Sequence, residues 1–104
     1  MRFFILFFLV VALITAQENY SYVVDTGGVP ADIEVEYRQD GYNYDSRWIR
    51  TDYWESDVYV NSDPYLEYEI TADRKTRIWI YIYKNGEIYR REYVYAKTAK
   101  GKLR

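Results

Sequence analysis

Residues 77–89 read Arg-Ile-Trp-Ile-Tyr-Ile-Tyr-Lys-Asn-Gly-Glu-Ile-Tyr, and this stretch decides the fold. Ile78, Ile80 and Ile82 alternate with Trp79, Tyr81 and Tyr83. Successive side chains of a strand point to opposite faces, so this period of two predicts an isoleucine face turned inward and an aromatic face opposite. Asn85-Gly86 then predicts a two-residue type I′ turn, in which both central residues take positive φ. Pairing across that turn puts Tyr83 opposite Ile88 and Ile82 opposite Tyr89. Carried further, it sets Arg91 opposite Ile80, which needs either a snorkelling arginine or a β-bulge that shifts the register.

The same alternation extends outward in both directions. The last strand of the hairpin runs over residues 88–96, with Tyr89, Tyr93 and Tyr95 expected on one face. Residues 97–104 lack an apolar pattern and are expected to be a basic flexible tail, taken as 98–104 beyond a domain of 17–97. Toward the N-terminus, Leu66, Tyr68, Ile70 and Ala72 alternate with Tyr65, Glu67, Glu69 and Thr71, and a polar connection follows over 72–75. Asn61 to Pro64 form a turn, since Pro64 cannot donate to a ladder. Val58 and Val60 mark a short strand. Another covers 47–53, where Trp48, Ile49 and Tyr53 leave the facing open. Ile33, Val35 and Tyr37 alternate with Glu34, Glu36 and Arg38, and Tyr20, Tyr22 and Val24 begin the series. About seven short antiparallel strands of this spacing predict an all-β fold, a small immunoglobulin-like β-sandwich, with a small barrel as the alternative.

The first 16 residues differ from the rest. Met1-Arg2 precede the unbroken apolar run of residues 3–14, and Thr15-Ala16 follow. A permanent span needs about 20 apolar residues, so 1–16 reads as a cleavable signal peptide. The chain is therefore expected to be exported: periplasmic, cell-surface or secreted. A membrane partner arises only if this segment is retained. All four Phe and the single Met lie within it, and the chain has no Cys or His. A disulfide framework is thus excluded although export would permit one. The 14 Tyr and 3 Trp are left to stabilise the domain, each ring burying about 150–250 Å².

In its order of motifs the chain resembles the extracytoplasmic domain of the mycobacterial small membrane-protein family MmpS. The residues that carry the resemblance are Tyr22-Val23-Val24, Ile33 to Tyr37, Tyr53-Trp54, Ile70 to Ala72, and Ile80 to Gly86. The resemblance implies a β-sandwich beside a membrane that assists a lipid-exporting transporter. The family's late cysteines are missing and the N-terminus looks cleavable, which argues against the transporter role and not against the fold.

Few catalytic constellations are open to a chain without His or Cys. The carboxylate pairs Glu34/Glu36 and Glu67/Glu69 could do acid–base work, but their alternation with apolar residues makes them a solvated outer face. Asp40 to Asp45 offers oxygen side chains to calcium, yet the spacing does not match an EF-hand, and a hairpin turn explains it. No enzyme, metal or cofactor is expected. Aromatic faces are the candidate ligand-binding feature, with Trp79, Tyr81, Tyr83, Tyr42 and Tyr44 as site residues and a protein or carbohydrate as ligand. Charge is divided: residues 17–73 hold 14 acids and 3 bases, residues 74–104 hold 10 bases and 2 acids. Pairing of acidic with basic strands inside one monomer is the expected reason, with a basic end that engages an anionic partner as the alternative. Nucleic acid is not an expected partner, because export and the acidic half both oppose it. The expectation is a non-enzymatic exported binding or accessory module, with a structural or self-assembling surface protein as the alternative.

Overall fold

The computed structural model describes residues 17–41 and 43–104. The expected signal peptide and the candidate residue Tyr42 lie outside the described residues. The rest is all-β and antiparallel: β1 (Glu18–Asp25), β2 (Ala31–Asp40), β3 (Asn43–Thr51), β4 (Tyr53–Val60), β5 (Leu66–Lys84) and β6 (Glu87–Leu103). The sheet order is β3-β2-β5-β1-β4, with β6 along β5. In effect residues 18–40 lie between 43–60 and 66–84, and 87–103 flanks the last of these.

Residues 26–30 and Asp52 break the first two of these runs, and at the same level the β5–β6 pairing lapses at residues 72–75 and 97 while both strands run on; there the sheet folds over on itself into a nearly closed, barrel-like form. The fold brings Tyr22 of β1 to Tyr37 of β2, ring centroids 5.3 Å apart. It also lets Arg90 Nε donate to Arg104 O at 3.1 Å. The alternating inward residues Tyr20, Tyr22, Val24, Ile33, Val35, Tyr37, Leu66, Tyr68, Ile70, Ile78, Ile80 and Ile82 meet in one core.

Two threonines hold the corner. Thr26 is fully buried, and its hydroxyl lies 2.6 Å from Val29 O and 3.0 Å from Asp52 O. Its amide donates to Asp52 O at 3.0 Å, and its carbonyl accepts the Thr76 hydroxyl at 2.9 Å. Outside the corner, Arg50 pairs with Asp73 at 2.6 Å and with Asp32 at 3.4 Å. The Arg50 hydrogen bond holds the Asp73 carboxyl below its ordinary range.

Several expectations are corrected. There are six strands where about seven short ones were expected, because 66–72 and 78–83 belong to the single 19-residue β5. Residues 98–103 are strand and not a flexible tail: they pair with 66–71, and Leu103 is buried. Glu67 and Glu69 thereby face Lys102 and Lys100, so the acidic strand lies beside the basic one. Asn85 and Gly86 take φ of 51° and 83°, as a type I′ turn requires. Tyr83 does stand opposite Ile88, but a register shift follows, and Ile82 meets Arg90 where Tyr89 was expected. The bulge sends Tyr89 inward onto Tyr20, ring centroids 6.0 Å apart, so Tyr89 leaves the face of Tyr93 and Tyr95.

Tyr22 supplies a pH test of the closed form. Its hydroxyl donates to Arg38 O at 3.0 Å and accepts from the Tyr65 amide at 3.3 Å. Burial, against the Tyr65 amide and Arg38, pushes the phenol up to about 12. An unfolded tyrosine ionises near 10, so the folded state favours the neutral phenol. Its contribution is whole below pH about 10 and is lost as pH rises through about 12. Denaturant titrations across this window should show stability falling with pH, and Tyr22→Phe should flatten that slope. An equal slope in the variant would contradict the assignment.

Candidate functional site

Because Ile78, Ile80 and Ile82 point inward, the intervening Trp79, Tyr81 and Tyr83 all project from the outer face of β5. Three of the five predicted site residues thus come together. Trp79 and Tyr81 have nearly parallel rings, 8° between planes and 5.8 Å between centroids, and Tyr81 and Tyr83 are 5.4 Å apart. The register sets their neighbours. Trp79 lies between Asp25 on β1 and Tyr93 on β6, Tyr81 between Val23 and Arg91, and Tyr83 between Ser21 and Ile88. One strand further out on β4, Tyr53 pairs Asp25, Glu55 pairs Val23 and Asp57 pairs Ser21.

This face is a second apolar assembly, separate from the core. Val23 belongs to it and is buried, although it points away from the main core. Tyr93 packs on Trp79 at 4.3 Å. Tyr53, Ile88, Tyr93 and Tyr95 are about half exposed. The Tyr81 phenol is pushed up by burial and then by Tyr83. Tyr53 is pushed up by burial, Glu55 and Tyr83. Acids (Asp25, Glu55, Asp57) flank the aromatics on the β1–β4 side, and bases (Arg77, Arg91) on the β5–β6 side. Strands about 4.8 Å apart and rows about 6.8 Å apart make the aromatic centre roughly 15 Å square.

Tyr44, the remaining predicted residue that is described, is elsewhere. It sits on β3, where its hydroxyl accepts from Arg38 Nη2 at 2.8 Å and its ring meets Tyr65 edge-on at 5.6 Å. Sequence reading missed Tyr53 and Ile88 as members of the aromatic face. The signal for Ile88 was present, since the turn already placed it opposite Tyr83; Tyr53 enters only through the β1–β4 pairing.

The four glutamates also meet: Glu34 stands opposite Glu69 and Glu36 opposite Glu67 on the outer face of the other half-sheet. They line a shallow groove of 390 Å³ with Lys100 and the 78 % exposed Trp48. Like charges directly opposite destabilise a sheet, and Lys100 and Lys102 across the next ladder offset this. Among the described residues no cluster of acidic side chains has the arrangement to hold a metal ion. No protein-family model, curated protein or solved structure matches the chain.

Proposed function

We propose that the chain is a non-enzymatic, exported binding or accessory module that docks a protein partner on the outer aromatic face of β5, β6, β1 and β4. The contiguous surface of Tyr53, Trp79, Tyr81, Tyr83, Ile88 and Tyr93 over the buried Val23 carries this reading. Large rings held against one another offer contact area at low entropic cost, and Trp, Tyr and Arg dominate binding hot spots. The acidic flank on one side and the basic flank on the other would orient a partner of complementary charge. We also read the two facing half-sheets as the layers of a small sandwich, the arrangement that the MmpS resemblance implies.

The test is capture from the native envelope or medium by the wild-type chain and by a Trp79→Ala/Tyr93→Ala variant. Both side chains lie outside the main core, so the variant should keep its cooperative unfolding. Loss of two hot-spot rings should weaken a captured protein by about 30-fold or more. Equal capture by a folded variant overturns the proposal, and capture of a glycan in place of a protein overturns the choice of partner. A specific observation favours self-assembly as a second reading: among the described residues the outer edge of β6 carries no strand, and it is basic where β4 is acidic. Against it, the bulge at Tyr89 and the irregularity at Lys97 interrupt the edge, which blunts strand addition. The wild-type chain is expected to sediment as a monomer, and association that grows with concentration would favour the second reading.

A further inference from the structure

At the end opposite the threonine corner, the two halves of the folded sheet meet around a cleft of 440 Å³. It is lined by Arg38, Arg90 and Arg104, by Tyr44, Tyr65 and Tyr89, and by Asp63 and Pro64. The three guanidinium groups come from β2, from the start of β6 and from beyond its end, so only the folding-over of the sheet assembles them. Like charges are costly to gather, and here the protein supplies little to offset them. Among the described residues none of the three arginines is in an ion pair, and Asp63 is the only acid lining the cleft.

Two of these arginines, Arg38 and Arg90, are held in place without a carboxylate side chain, which fixes their positions. Arg38 donates from Nη1 to Asp63 O at 2.9 Å and from Nη2 to the Tyr44 hydroxyl at 2.8 Å. Its Nε is buried with no hydrogen-bond partner. Arg90 stacks on the Tyr89 ring at 4.1 Å and donates to Arg104 O and Tyr89 O. Lys84 adds a further cation, 5.7 Å from the same ring. Fixed guanidinium forks match the oxygens of carboxylates, sulfates and phosphates, and the tyrosine rings give the cleft apolar walls.

We propose that this cleft is a binding site for an oxyanion carried on a small ring compound. It shares no residue with the aromatic face of β5 and stands or falls independently of that reading.

Thermal unfolding of the full chain, titrated with inorganic sulfate, inorganic phosphate or glucuronate against chloride at matched ionic strength, tests the site. At least one oxyanion should raise the midpoint saturably while chloride does not, because only an ion that binds the folded state selectively stabilises it in this way. The order among the three probes tells whether the natural ligand carries a carboxylate or a tetrahedral anion. Arg90→Gln, at an exposed position, should weaken the response about tenfold. Arg38→Gln should do the same or more, and Arg104→Gln serves in its place if that variant does not fold. Three probes indistinguishable from chloride, or a response unchanged in Arg90→Gln and in Arg38→Gln (or its stand-in), would overturn the proposal.

Discussion

Replacing Thr26 with Val is expected to lower stability by about 2 kcal/mol, the cost of deleting a buried hydrogen-bonded hydroxyl and stranding an acceptor. The two side chains have nearly the same volume, so packing contributes little and the change isolates the hydroxyl. Thr26 is fully buried. Its hydroxyl lies between Val29 O at 2.6 Å and Asp52 O at 3.0 Å. Asp52 O keeps the Thr26 amide at 3.0 Å, whereas Val29 O is left without this donor. The loss falls where residues 26–30 leave one half of the sheet for the other. For a domain of this size about 2 kcal/mol corresponds to a fall of roughly 8–16 °C in Tm. Thr71 is the control: it is exposed on the outer face of β5, and Thr71→Val should stay within about 0.5 kcal/mol. Equal effects of the two substitutions would mean that Thr26 does not hold the corner.

That corner marks the boundary of what the sequence discloses. Wherever one side of a strand faces the core and the other faces water, the chain alternates, and its facing is directly legible. Ile33, Val35 and Tyr37, then Leu66, Tyr68 and Ile70, then Ile78, Ile80 and Ile82 are all buried. The same alternation puts Trp79, Tyr81 and Tyr83 together on one face from the order of residues alone. At residues 73–75 the sheet turns its corner and Asp73, Arg74 and Lys75 are all exposed. The hydrophobic signal vanishes there although the chain continues as strand, so one long strand reads as two short ones. The bulge after Ile82 is invisible for a related reason. It depends on Tyr89 packing onto Tyr20, a contact between segments almost 70 residues apart. Tyr44 could not be sorted from the β5 aromatics by local pattern either, since the folding-over of the sheet alone decides which half it joins.

The last strand segment shows a weaker version of the same signal, and Gly101→Ala tests whether it was misjudged. Ala99, Gly101 and Leu103 alternate with Lys100 and Lys102, but two of the three inward residues are small, which made a flexible tail the natural expectation. Gly101 is small for a reason. A Cβ built there would lie 2.8 Å from the Tyr68 hydroxyl oxygen and 3.2 Å from its Cζ. Tyr68 is itself buried and donates its hydroxyl proton to Glu92. Burial and the neighbouring carboxylate both push that phenol well above its ordinary value. An alanine must therefore displace a ring with little room to move, and overpacking of this kind costs about 1–3 kcal/mol. The contact makes a double-mutant cycle informative. Tyr68→Phe removes the oxygen that the new methyl would strike and leaves the milder approach to Cζ, so Gly101→Ala should cost about 1 kcal/mol less in that background. Chemical denaturation of the four proteins measures both quantities. A mobile tail would make Gly101→Ala neutral in either background, with zero coupling to Tyr68. A penalty that the Phe substitution relieves places residues 98–103 in the sheet, paired alongside β5.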